Sequence, residues 1–242
     1  MRTGVVSSTS AMVCDPSAAA LLARHAKALA GRAGLHLQLT DGFPCAGAGR
    51  RRSLVTKDGR FPRFPEDLRA PDPDEIRIEW RAQLKSFLQS GLTPSHIDTH
   101  HHVHAHPAVF EVYCEVARRL GVPARTLGPE MTESLRSRGI PCADYCEIAW
   151  LGTDATLKSL LELVSAAFDR CGGNGVVELM CHPGYVTRVL SERSVYVKHR
   201  EKELKILCSD RLSRGLRKLG IEIAGMAAVE LALKRAHRNW SA

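Results

Sequence analysis

Apolar and polar residues alternate strictly over Gly34–Thr40, with Leu35, Leu37 and Leu39 on one side and His36, Gln38 and Thr40 on the other. That period of two predicts a strand, stopped by Asp41-Gly42. Val5–Val13 reads as an earlier strand, and Cys14-Asp15-Pro16-Ser17 as the turn that opens a helix over Ser17–Gly31. From Asp74 to Gln89, Ile76, Trp80, Leu84, Phe87 and Leu88 recur at helical spacing. Another helix is predicted over Pro107–Leu120, with proline in its first turn, and a strand over Pro123–Leu127. Ala155–Cys171 reads as a helix closed by Gly172-Gly173, and Gly175–Cys181 as a buried strand. Helices over Arg193–Ile206 and Ser209–Leu219 and a last strand over Ile221–Gly225 complete the pattern. Short strands alternating with helices predict an α/β fold with a mostly parallel sheet or barrel. Active sites in such folds gather at the C-terminal ends of strands. Residues 43–73, rich in Pro, Gly and Arg, interrupt the pattern and are expected to form a long loop bordering the site.

At 242 residues the chain is expected to form a single large domain. No apolar run approaches the roughly 18–20 residues of a membrane span, and the N-terminus lacks the apolar core of a signal peptide. A cytoplasmic protein without a membrane partner is the expectation. The eight cysteines are scattered without a CxxC pair, so they read as small buried hydrophobes rather than a disulfide framework. A net charge of +8 raises the question of nucleic acid. The basic residues are mostly dispersed, however. Their clusters, Arg50-Arg51-Arg52 and Lys234–Arg238, carry no recognisable motif, so no specific nucleic-acid partner is expected.

The chemistry concentrates in HIDTHHHVHAHP, His96–Pro107, which holds six of the eleven histidines. In a strand, alternate residues share a face, so His96, Asp98 and His100 would point one way and His101 the other. Pro107 opens a helix, so the strand is expected to end near His100. Neutral imidazoles converging beside a carboxylate make a site for zinc or a similar divalent ion. Asp98 is placed to accept a hydrogen bond from a ligand imidazole and fix its tautomer. His36, on the polar face of its strand, and His182, after the strand GVVELMC, stand at two further strand ends. Each alone reads equally as a core histidine, a ligand or a general acid.

GLHLQLT, HIDTHHHVH and VELMCHPGY, in this order, resemble the three histidine motifs of the YdjC-like carbohydrate deacetylases, which include diacetylchitobiose deacetylases. YVKHREKEL, Tyr196–Leu204, is similar to the helix that follows them. The match runs from about Gly4 to about Gly225, with 226–242 left as a C-terminal helical extension. The resemblance implies a barrel-like (β/α) fold and a divalent metal ion, Mg or Zn. It also implies hydrolytic removal of acetyl groups from N-acetylated sugars such as chitin oligosaccharides. The family's metal histidines fall on His36 and His100, and its HPG histidine, a candidate general acid, on His182. Asp98, His102, His104, Glu178 and Arg200 match further motif positions, as supports for the ligands or contacts to substrate.

One departure qualifies these expectations. The family opens with a strand ending in Asp-Asp-Phe-Gly, and no such segment stands in this sequence. The first strand, loop and helix, roughly 20–30 residues, are expected to be missing. That would leave Val5–Val13 as an edge open to pairing in a homodimer. The chain as written is then expected to bind metal weakly and to show little or no deacetylase activity until the upstream segment is restored. Two rival readings remain beside the deacetylase: another metallohydrolase, such as one that cleaves phosphoesters, and an impaired relative that binds carbohydrate without turnover.

Overall fold

Leu35, Leu37 and Leu39 are fully buried, as their alternation predicts. The opposite face is covered too, because Gln38 and Thr40 are buried as well. Burial on both faces is what a parallel strand flanked by helices requires. The computed structural model describes residues 3–47, 49, 52–194, 196–226, 228 and 229. Within it the chain divides into two units: Ser8–Arg125 with Ser134–Cys142, and the remainder.

The first unit opens with β1 (Thr9–Ala11), α1 (Ala18–Arg24), α2 (Ala26–Leu29) and β2 (Ala33–Leu37). It continues through α3 (Pro73–Leu88), β3 (Ile97–Thr99) and α4 (Pro107–Leu120). β1, β2 and β3 pair side by side, all parallel. The helix expected over Ser17–Gly31 is broken at His25, whose backbone leaves helical dihedrals (φ −112°, ψ 10°). Leu22 is the one side chain of α1 that is buried, so no apolar stripe holds a longer helix against the sheet.

α3 has a firmer start. Asp72 caps it by accepting the N–H groups of Asp74 at 2.8 Å and Glu75 at 3.2 Å, with Pro73 at the first position. Its buried face carries Ile76, Glu79, Trp80, Gln83 and Phe87. α4 also begins with proline, after His106, whose Nδ1 accepts the Ala108 N–H at 3.2 Å. It ends at Gly121, held at φ +65°, a left-handed cap that glycine adopts without strain. The strand expected over Pro123–Leu127 reduces to one parallel bridge, Ala124 with Ile97.

β2 and the chain before β3 approach closely at Gly34. A methyl group there would lie 2.4 Å from the ring of His96. His96 is itself buried and bonded through Nδ1 to Ser95 Oγ at 2.9 Å.

After α5 (Pro129–Ser137), the second unit contains β4 (Tyr145–Glu147), α6 (Leu157–Arg170) and β5 (Val177–Leu179). It closes with α7 (Arg188–Arg193), α8 (Arg200–Leu207) and α9 (Asp210–Lys218). β4 and β5 are again parallel. Trp150, Ala155, Leu160, Val164, Leu207, Leu212 and Leu216 form its core. β4 and α5 were not expected from the sequence. β5 is half-buried rather than buried. The helix expected over Arg193–Ile206 begins only at Arg200, as α8; before it α7 ends at Arg193, where Ser194 takes extended dihedrals and its Oγ accepts the Tyr196 N–H at 3.2 Å. Ile221–Gly225 forms no strand and is largely exposed, with Ile223 half out in solvent. Most of the C-terminal helix expected over 226–242, with its basic cluster, lies outside the described residues, as do Arg50 and Arg51. Parallel strands joined by helices make this the α/β, barrel-like (β/α) class that the sequence predicts.

Tyr113 of α4 ties the helix to the sheet. Its hydroxyl donates to the carbonyls of Ile97 at 2.9 Å and Arg125 at 3.3 Å, and its ring meets Trp80 edge-on at 6.4 Å. Tyr113→Phe should lower stability by about 1–2 kcal/mol, read from urea unfolding followed by tryptophan fluorescence. An unchanged midpoint would refute the tie.

Candidate active site

The parallel sheet brings four side chains onto one face. His36 of β2 lies opposite Asp98 of β3. Ser10 lies on β1, and the bridge from Ile97 to Ala124 sets Arg125 beside Asp98. Neighbours across a sheet share a face, and these four join by hydrogen bonds. His36 Nδ1 meets Asp98 Oδ1 at 2.7 Å. Ser10 Oγ donates to Asp98 Oδ2 at 2.9 Å and lies 3.3 Å from His36 Nδ1. Arg125 Nη1 lies 3.0 Å from Asp98 Oδ2. Burial by itself would push the Asp98 carboxyl up. The charges of His36 and Arg125, and the His36 hydrogen bond, overcome it and hold Asp98 well below the usual carboxylate range. Asp98 is therefore a carboxylate, and His36 donates to it from Nδ1. In a neutral His36 this bond selects the tautomer whose lone pair is on Nε2.

Beyond Thr99 the strand does not continue as alternation requires. His100–Ala105 tightens into 3-10 turns, and His101 (φ 51°, ψ 25°) and His102 (φ 54°, ψ 34°) are left-handed. Side chains with a Cβ reach this region at a cost of about 1–2 kcal/mol each. The expectation that His101 faces away from His100 is thereby overturned: their rings stack at 3.8 Å between centroids. The His100 ring also meets His36 edge-on at 5.5 Å. Thr40 Oγ1 lies 3.1 Å from His101 Nδ1, and Phe64, from the long 43–73 segment, is tilted against His101 at 6.3 Å.

His104 is a core residue. It is completely buried, stacked on Tyr113 at 4.6 Å, with Nδ1 2.5 Å from Thr99 Oγ1. His102 meets it edge-on at 6.1 Å. Of the residues singled out in the sequence, His36, Asp98 and His100 thus come together in the first unit, with His102 and His104 alongside.

His182, Glu178 and Arg200 belong to the second unit. Glu178 lies on β5 opposite Cys146. The turn at His182 is held by two side chains of α8. Glu203, fully buried, accepts the His182 N–H at 2.6 Å, and Arg200 Nη1 donates to the His182 carbonyl at 3.3 Å. Tyr196 donates its hydroxyl to Glu203, accepts the Gly152 N–H at 3.0 Å, and lies 5.3 Å from the His182 ring. Burial, then the Glu203 bond, pushes the Tyr196 phenol up to about 12, so it stays a donor. Tyr196 and Glu203 were not singled out in the sequence. The signal was present in YVKHREKEL, where one glutamate of a charged helix faces inward.

A tautomer-fixed imidazole beside a second imidazole is a donor set that suits zinc and similar divalent ions. Asp98 engages His36 through Nδ1, which leaves Nε2 on the other side of the ring, and His100 is the neighbouring imidazole. Among the described residues, three ligand atoms within 4.8 Å of one another occur elsewhere, at Cys14, Cys45 and Glu79.

The model of the YdjC-like protein family matches residues 1–218. The chain belongs to the YdjC-like family. Among its relatives, a carbohydrate deacetylase of Vibrio cholerae is 38% identical over 230 residues, covering 93% of this chain and 86% of the relative. A carbohydrate deacetylase of Geobacillus stearothermophilus is 35% identical over 224 residues, covering 92% and 86%. The crystal structure of a candidate cellobiose-phosphate cleavage protein from Enterococcus faecalis superposes with a TM-score of 0.84 at 28% identity, covering 93% of this chain and 88% of that one. The three YdjC-like motifs read in the sequence are therefore those of a true member.

The buried His104 gives a test by pH. Burial first, then the nearby charges of His102 and Arg125, bring its pKa down from 6.5 to about 3. The unfolded chain takes up this proton near its ordinary pKa and the folded chain does not. Stability is therefore full above pH ~6.5 and falls toward pH ~3, by about 1 kcal/mol per pH unit from this residue. Melting temperatures across that range should fall more steeply for the wild type than for His104→Phe. Parallel curves would count against a neutral His104.

Proposed function

We propose that this chain is a metal-dependent hydrolase that removes N-acetyl groups from amino sugars such as chitin oligosaccharides. The observation that carries the reading is the Asp98-bound His36 beside His100, in a chain whose relatives are named carbohydrate deacetylases. A bound zinc or magnesium ion would polarise the acetamide carbonyl and lower the pKa of a water. His36 and His100 would hold it. Asp98 holds the His36 imidazole through Nδ1 and so leaves Nε2 for the ion, and Arg125 and Ser10 keep Asp98 in place. His182 is the proposed acid that protonates the leaving amine, from the motif it carries. Arg200 and Glu203 fix the backbone on either side of its ring. The substrate is an N-acetylated oligosaccharide.

Acetate release from N-acetylglucosamine oligomers, by metal-stripped protein reloaded with zinc or magnesium, tests the reading. His36→Ala and His100→Ala should each lose one equivalent of bound metal, and activity with it. His182→Ala should lose about 10²–10⁴-fold in kcat with metal retained. Asp98→Asn, which keeps the shape but not the charge, should weaken metal binding or activity by roughly 10–100-fold. Wild-type protein that binds metal yet releases no acetate from any oligomer would refute the reading. The name of the Enterococcus faecalis structure favours one alternative, cleavage of a phosphorylated disaccharide. Products formed from cellobiose phosphate without acetate release would establish it instead.

A further inference from the structure

Cys14 follows β1, Cys45 stands near the start of the 43–73 segment, and Glu79 lies on the buried face of α3. Cys14 Sγ lies 3.9 Å from Glu79 Oε1, and the three ligand atoms fall within 4.8 Å of one another. Cys45 Sγ also lies 3.4 Å from the Val13 carbonyl. The two cysteines are half-buried, but Glu79 has no exposure at all. Its carboxylate accepts the backbone N–H of Cys45 at 2.8 Å, that of Ala46 at 3.0 Å and the Gln83 amide at 2.8 Å. All three donors are neutral, and among the described residues no ion pair compensates the charge. Cysteines expected to be inert core filling therefore face a buried carboxylate.

We propose that Cys14, Cys45 and Glu79 form a thiolate-rich site for a divalent cation of the zinc type, with ligands separate from the His36–His100 pair. Two sulfurs and one carboxylate supply three protein ligands and leave the fourth tetrahedral place to water. Thiolates select zinc, or cobalt in its place, over magnesium.

A dication that binds both sulfurs displaces their protons to solvent, and the three N–H donors hold the Glu79 carboxylate in place for it. Bound metal would fasten the end of β1 and the start of the 43–73 segment to α3.

The test titrates the reduced, metal-stripped full-length chain with cobalt(II), whose thiolate complexes absorb strongly in the near ultraviolet while imidazole and carboxylate complexes do not. We expect this band to appear, to strengthen as pH rises, to vanish in Cys14→Ser/Cys45→Ser and to persist in His36→Ala/His100→Ala. The last comparison keeps the outcome independent of the deacetylase reading. No thiolate band at saturating cobalt, or a band undiminished in the cysteine variant, would overturn the site. Should that variant fail to fold by circular dichroism, wild-type protein is alkylated with iodoacetamide with and without zinc, and its peptides are weighed. Protection of Cys14 and Cys45 by zinc supports the site, and equal labelling of both overturns it.

Discussion

Asp98 is an ionised carboxylate with 1% of its surface exposed. An unpaired charge in that position would cost several kcal/mol, so Ser10, His36 and Arg125 must all reach it from neighbouring segments. They do so at one register of the parallel strands. Slipping β2 by one residue would turn His36 to the other face and carry Leu35, Leu37 and Leu39 out of the core. The His36–Asp98 geometry and the sheet alignment are thus set by the same contacts. The polar row is as much a determinant of the fold as the leucines on the other face.

The turn that follows spends some of that stability on strain. Two successive left-handed residues with full side chains persist where the surroundings over-determine them. Here the constraint comes from beneath. Thr99 bonds His104, His104 stacks on Tyr113, and Tyr113 bonds the Ile97 carbonyl, one residue before Asp98. The loop of bonds begins and ends on β3. His104, the least accessible histidine of the segment, is the anchor that allows His100 and His101 to stack near the surface.

Where the sequence signal was redundant, the reading succeeded. The helix expected over Pro107–Leu120 has those bounds, and the one expected over Asp74–Gln89 is displaced by a single residue, Pro73–Leu88. Both have an apolar stripe and a proline start, so periodicity and capping agree. β4 has three residues, too few to establish a period, and passed unread. The pairing of His36 with Asp98 was foreseen in kind, since a carboxylate two residues before a histidine triplet is placed to orient an imidazole. The stacking of His101 on His100 was not, because nothing in His-His-His announces left-handed dihedrals. Glu203 and Glu79 escaped for a related reason: charged residues on helices read as solvated, and here each is turned inward to satisfy backbone N–H groups.

Gly34 and His96 also bear on how this protein can vary. The imidazole occupies the space that any Cβ at position 34 would need, and its burial leaves it little room to withdraw. Neither position can be treated as an independent site of substitution. A side chain at 34 becomes tolerable once 96 has shrunk, and a smaller residue at 96 leaves a void that a side chain at 34 can fill. Across descendants of this chain the two positions should therefore change as a pair, with loss of the histidine preceding loss of the glycine.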